Sequence, residues 1–221
     1  MSREKLKVKG ILFDLDGTIV DSKQAYVEAA RVAFEAVGQK PPEMRGALEI
    51  PRRLEQGLSI DDIVPGSVRR FLAVYLKTYY LVTKLKTKPV PNVQTALAVL
   101  SKKAKLALIT MRFVPKSEVL EELAEFGLAE YFKYVVTALD TQKPKPSPEA
   151  LIKAIKALDV NMCDCIIVGD SVTDVRAGKA AGAMTVGVLS GLFSHMELVR
   201  EKPNLVLADV TKLPLYLDYS I

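Results

Sequence analysis

The stretch Gly10-Ile11-Leu12-Phe13-Asp14-Leu15-Asp16-Gly17-Thr18 constrains this chain more than any other, because an apolar run stops abruptly at two carboxylates, a glycine and a hydroxyl. Val8 and Ile11 to Phe13 have the composition of a short strand buried on both faces, and Asp14 falls where that strand leaves its sheet. In open α/β sheets ligands bind at the carboxyl ends of the strands, and Gly17 lets the chain turn so that Asp16 reaches the same space. A paired carboxylate there suits phosphoryl transfer: Asp14 can attack phosphorus to form an aspartyl-phosphate, and Asp16 can exchange a proton with the leaving group and with water.

The remainder of the chain reads in two styles. Residues 23 to about 86 show helical spacing only: Ala25, Ala29, Val32, Ala33 and Val37 form one apolar face ended by Gly38. A second helix over Glu43 to Gln56 is expected to be interrupted by Pro51, a further start is expected at Ser59 to Asp62, and a third helix spans Val68 to Val82. Phe71, Leu72, Tyr75, Tyr79 and Val82 on that last helix read as a packing face rather than an aromatic binding box. From Pro91 onward helix and strand alternate. The expected helices are Asn92 to Leu100, Pro115 to Phe126, Ser147 to Leu158, Val172 to Ala181 and Glu197 to Arg200. The expected strands are Leu106 to Ile109, Tyr134 to Val136, Cys165 to Val168, Met184 to Val188 and an edge strand at Leu205 to Leu207. Such βα units imply a parallel sheet with crossover helices, interrupted after its first strand by the helical segment. Leu213 to Ile221 carries no clear signal.

Three further strand-end loops supply polar groups. Thr110 follows Leu106 to Ile109, and its hydroxyl, with the backbone N–H of Met111, can hold a phosphoryl oxygen or merely terminate the strand; Arg112 is a candidate helper. The loop Lys143-Pro144-Lys145-Pro146-Ser147-Pro148 offers two lysines on a proline-stiffened segment, either of which can neutralise the nucleophile. Ile166-Ile167-Val168-Gly169-Asp170-Ser171-Val172-Thr173-Asp174 repeats the opening theme. Asp14, Asp170, the backbone carbonyl of Asp16 and water make an oxygen set suited to Mg²⁺, with Asp174 aligning those ligands and Asp170 or Ser171 also fitted to cap a helix.

Taken together, these segments resemble the haloacid dehalogenase superfamily, and within it the phosphoglycolate phosphatase-like and β-phosphoglucomutase-like branch. Asp14-Leu15-Asp16-Gly17-Thr18, Thr110, Lys143 before Pro144, and Gly169-Asp170 with Asp174 match its four motifs. The resemblance implies an α/β fold: a Rossmann-like three-layer α/β/α core with a parallel sheet over residues 1–22 and 87–221, and an inserted all-helical cap over 23–86. It also implies roles. Asp14 is the nucleophile and Asp16 the general acid and base; Thr110, Met111 and Lys143 hold the phosphoryl group; Asp14, Asp16 and Asp170 bind Mg²⁺, served by Asp174. Dehalogenase members lack the second aspartate, so Asp16 argues for phosphoryl transfer. Asn92 stands where relatives often carry glycine, and Met111-Arg112 where a small or amide residue is common. The expected activity is a Mg²⁺-dependent phosphatase acting on a small phosphorylated metabolite, with a phosphomutase or a non-catalytic phospho-aspartate regulatory domain as alternatives.

Composition limits the partners. The chain has 221 residues, 49% of them hydrophobic and 26% charged, with a formal charge of +5. Its basic residues are interleaved with acids, which reads as a solvated surface rather than a nucleic-acid face. A local excess at Arg52-Arg53, Arg69-Arg70 and Lys84, Lys86, Lys88 is expected to attract an anionic substrate, with Tyr26, Arg52, Arg53 and Arg69 as candidate specificity residues. No apolar run reaches the roughly 18–20 residues of a membrane span, no leader segment is expected, and the cytoplasm is the expected compartment. Cys163 and Cys165 read as buried or partly buried free thiols, since two cysteines and the single His195 cannot complete a zinc site. His195 reads as the opening of a surface helix. Oligomeric state has no signature in the sequence.

Overall fold

The computed structural model describes residues 6–218. They form two compact units, Met1–Ile19 with Pro89–Ile221, and Val20–Lys88; the expected joints were at 22/23 and 86/87.

The first unit is built on a parallel sheet of six strands: β1 (Gly10–Asp14), β4 (Lys105–Ile109), β5 (Phe132–Val136), β6 (Cys165–Gly169), β7 (Met184–Val188) and β8 (Leu205–Leu207), in the order β5-β4-β1-β6-β7-β8. Ile11, Leu12 and Phe13 are wholly buried, as expected for a central parallel strand covered on both faces. The chain runs from β1 to β4 and β5 on one side, then crosses to β6, β7 and β8 on the other. β1 therefore lies at the point where the winding direction reverses, and a crevice opens at the carboxyl ends of the strands beside such a point. The register sets Asp14 against Ile109 and Phe13 against Val168, so Thr110 and Asp170 emerge within a residue or two of the level of Asp14.

The covering helices are α4 (Val93–Leu100), α5 (Lys116–Glu125), α6 (Glu149–Leu158), α7 (Val172–Ala181) and α8 (His195–Arg200). Leu151, Ala154 and Leu158 of α6 pack with Leu12, Ile109, Val136 and Ile167 of the sheet in one core layer. The left-handed backbone of Asn92 (φ 64°), just before α4, explains why glycine suits that position; asparagine is among the few other residues that tolerate it. The chain after β8, which carried no sequence signal, is a 3₁₀-helix over Val210–Tyr216 with Val210 and Leu213 buried. Its apolar residues fall on three-residue spacing too short to register as an amphipathic α-helix.

The second unit contains α1 (Lys23–Ala36), α2 (Met44–Glu55) and α3 (Val68–Lys86), with two short paired strands, β2 (Val20–Asp21) and β3 (Lys88–Pro89), at its ends. Pro51 does not interrupt α2, which continues through it, and Ser59–Asp62 forms a turn rather than a helix. Ala25, Ala29 and Ala33 pack with Phe34, Phe71, Tyr75 and Tyr79; the small side chains of α1 leave room for the aromatic face of α3. Phe71, Tyr75 and Tyr79 are thus core residues.

The Tyr75 hydroxyl is buried in that core without a hydrogen-bond partner, and burial pushes its pKa well above the usual value. An orphaned buried hydroxyl is destabilising, so Tyr75→Phe is expected to stabilise the protein by about 1 kcal/mol. Calorimetry should show a melting temperature higher by roughly 2–4 °C; a fall would mean that the hydroxyl has a partner, such as a buried water.

Candidate active site

Asp14, at the end of β1, is buried, and its Oδ1 accepts a hydrogen bond from Lys145 Nζ at 2.5 Å. The same ammonium donates to Asp174 Oδ1 at 2.6 Å. Lys145 is only 3% exposed, so this cation and both carboxylates face each other with little water between them. Lys143, the lysine expected in this place, is exposed, and its backbone N–H is taken by Glu149 Oε2 at 3.0 Å. That expectation is corrected: Lys143 sits at the mouth of the loop, and the turn closed by Ser147 N–H to Pro144 carbonyl carries Lys145 inward.

Asp170 follows β6 and is 3% exposed; its Oδ2 accepts the backbone N–H of Leu192 at 2.9 Å. Asp174 lies one helical turn on. Its Oδ2 accepts Ser171 N–H at 3.2 Å and Ser171 Oγ–H at 2.7 Å, closing the capping box of α7 while its other oxygen faces Lys145. The helix start and the site are therefore the same few atoms. One oxygen each from Asp14, Asp170 and Asp174 lie within 4.8 Å of one another. Three carboxylates converging this closely repel each other, and hard oxygen donors so arranged fit a divalent cation of the Mg²⁺ type.

Two neighbours outside the expected set shape this cluster. A Cβ on Gly191 would lie 1.7 Å from Asp170 Oδ2, so only glycine permits the approach, and Ser190 Oγ–H donates to the Gly17 carbonyl at 2.6 Å. Gly17 itself has φ 84°, which supplies the turn after Leu15-Asp16. The loop after β7 thus buttresses both the first loop and Asp170. It carried a readable signal, since the carboxyl ends of all parallel strands share one rim and Ser190-Gly191 lies just beyond one of them. Gly191→Ala is expected to displace the Asp170 carboxylate and, where the acidic cluster holds Mg²⁺, to weaken that binding at least roughly tenfold, the scale of an orienting contact to a metal ligand. Titration calorimetry on the folded variant checks this, and wild-type affinity would refute it.

Asp16, half-buried, has both oxygens held by Arg112: Nε donates to Oδ2 at 2.8 Å and Nη2 to Oδ1 at 2.6 Å. Nη1 of Arg112 also donates to Glu122 on α5. Glu122 was missed from the sequence, although a carboxylate between the buried Val119 and Leu123 interrupts the apolar face of α5. Thr110 is buried; its Oγ1 accepts the backbone N–H of Arg112 at 3.2 Å, so the hydroxyl shapes the loop and keeps its own proton to donate. Met111 is half-buried beside it. Thr18 is wholly buried with its hydroxyl unpartnered.

The remaining candidates lie elsewhere. Arg52 and Arg53 are paired with Glu49 at 3.0 and 3.1 Å, and Arg53 also with Asp62 at 2.5 Å; Arg69 is exposed. Tyr26 stacks on Tyr79 with ring centroids 4.9 Å apart. Cys163 is exposed rather than buried, whereas burial pushes the Cys165 thiol up to about 11. His195 opens α8 behind the capping residue Ser194. Among the described residues no helix is long and apolar enough to cross a membrane.

An aspartate pair at the end of the central strand, a buried lysine and a carboxylate cluster thus share one rim of a Rossmann-like α/β sheet. The chain belongs to the haloacid dehalogenase-like hydrolases, whose family profile matches residues 11–188. It is similar to the phosphoglycolate phosphatase of Pseudomonas fluorescens, 31% identical over 92% of this chain and 77% of that one. It is also similar to the pyrophosphatase PpaX of Halalkalibacterium halodurans, 28% identical over 83% of this chain and 84% of that protein. In fold it matches a haloacid dehalogenase-like family hydrolase from Streptococcus pneumoniae, with a TM-score of 0.79 at 19% identity over 95% and 98% of the two chains.

Proposed function

We propose that this protein is a Mg²⁺-dependent phosphatase that hydrolyses a small phosphorylated metabolite through an aspartyl-phosphate on Asp14. The observation that carries the reading is the contact of Asp14 with Lys145 beside Asp170 and Asp174 at the rim of the sheet. Relatives named for phosphoglycolate and pyrophosphate hydrolysis support a small anionic substrate.

In the first step an Asp14 carboxylate oxygen attacks phosphorus, the bond from phosphorus to the ester oxygen breaks, and that oxygen takes the proton of the Asp16 carboxyl group. In the second, water attacks the same phosphorus and gives a proton to the Asp16 carboxylate. The Asp14–phosphorus bond breaks, releasing inorganic phosphate and restoring both aspartates. Lys145 offsets the charge of Asp14 and of a phosphoryl oxygen, and the Thr110 hydroxyl with the Met111 N–H donates to another. Asp14, Asp170 and the Asp16 carbonyl would hold Mg²⁺, with Asp174 aligning them; when bound, the ion supplies positive charge against the phosphoryl oxygens. Val20–Lys88 is read as the inserted helical cap domain.

The test is inorganic phosphate release from 2-phosphoglycolate, pyrophosphate, sugar phosphates and nucleotides in magnesium, calcium and excess chelator. Turnover of small anions is expected in magnesium, with a loss of roughly 100-fold or more in chelator. Calcium should support it poorly, because its larger, looser coordination misplaces the reacting atoms. Full turnover in chelator would overturn the metal assignment, and sugar phosphate isomerisation without phosphate release would make the protein a phosphomutase.

A further inference from the structure

Asp16 lies two residues beyond β1, at an isolated bridge position. Both oxygens of its carboxylate are held by a two-pronged contact with Arg112, 96 positions away. Arg112 is 5% exposed and Glu122, which binds its other side, 3%. Burying a guanidinium and a carboxylate carries a desolvation cost that their attraction does not reliably repay, and apolar residues of similar volume often serve stability as well or better. Packing alone does not account for the pair.

We propose that Arg112, held in turn by Glu122, is a positioning residue that fixes the plane of Asp16, from which the protonated carboxyl group gives its proton to the leaving oxygen and the carboxylate so formed takes one from water. The inference rests on the acid and base role assigned to Asp16 above. Geometry supports it in three ways. Two parallel N–H···O bonds from a planar fork fix both the place and the plane of a carboxylate, which a single lysine charge cannot do. The guanidinium favours the ionised carboxylate, the form that takes the proton from water. Glu122 takes the remaining prong from α5, so a rigid helix determines the pose of a loop residue.

The role separates from a purely structural one by leaving-group dependence. Single-turnover rates would be measured on an alkyl phosphate, whose leaving oxygen needs a proton, and on p-nitrophenyl phosphate, whose leaving group departs without one. The variants are Arg112→Lys and the double variant Arg112→Met/Glu122→Met, which removes both buried charges together and so leaves no stranded partner in the helix. The double variant should melt close to wild type. Its nitrophenolate burst should slow less than about threefold, while its alkyl phosphate turnover should fall roughly 100-fold, the lower end of what positioned proton transfer contributes. Arg112→Lys should keep most of the alkyl phosphate deficit. Equal losses on the two esters, or a wild-type rate on the alkyl ester in Arg112→Lys, would overturn the proposal while leaving the phosphatase reading intact. A wild-type enzyme that releases phosphate from neither ester nor any of the small phosphorylated metabolites named above overturns both. If the double variant does not fold, Arg112→Lys makes the same two-ester comparison.

Discussion

Asp14→Asn is expected to reduce phosphate release roughly 10⁴-fold or more, because the amide keeps the shape of the side chain and loses the negative charge that makes its oxygen nucleophilic. The fold should persist. Lys145 retains Asp174 at 2.6 Å, and the substitution removes one of three crowded negative charges. Thermal unfolding should therefore stay within a few degrees of wild type, or rise, while Mg²⁺ stabilises the variant less than it stabilises the wild type. Phosphate release and melting curves with and without magnesium check both halves, and turnover near the wild-type level would remove Asp14 from the role of nucleophile.

The two lysines of the proline loop should differ sharply. Lys145→Ala takes a buried ammonium from between Asp14 and Asp174, and breaking one side of a buried ion pair costs about 3–5 kcal/mol. Activity should fall by roughly 10²–10³, since the charge proposed above to offset the phosphoryl oxygens goes with it. Added Mg²⁺ should recover part of the lost stability, because a cation offsets the same carboxylates. Lys143→Ala removes an exposed side chain and should change stability by less than about 0.5 kcal/mol. Melting temperature and steady-state turnover of the two variants decide the matter, and the reverse ranking would restore Lys143 to the phosphate site.

Much of this was legible because it depends on short-range patterning. Ile11 to Phe13 and Ile166 to Val168 are apolar without alternation, so they read as strands buried on both faces, and the acids that follow each must leave the sheet at its rim. The spacing of Ala25, Ala29 and Ala33 marks a helix face whatever packs on it. Element ends were less legible: Pro51 sits inside α2 against its usual tendency, and the turn at Ser59–Asp62 resembled a helix start because the same residue types cap both.

By itself, the amino-acid sequence determined that the fold is a wound parallel sheet interrupted by a helical insert, and that aspartates gather at one rim, since strand composition and the direction of parallel strands leave little choice. Only the tertiary structure decided which lysine meets Asp14, because Lys143 and Lys145 are each followed by proline in one short loop and differ in which way the loop turns them. It alone joined Asp16 to Arg112 across 96 residues and Arg112 to Glu122 on α5, and placed Gly191 and Ser190 against Asp170 and Gly17. These are contacts between separate loops, set by strand order and register, and no local pattern of residues encodes the distance between the ends of two strands.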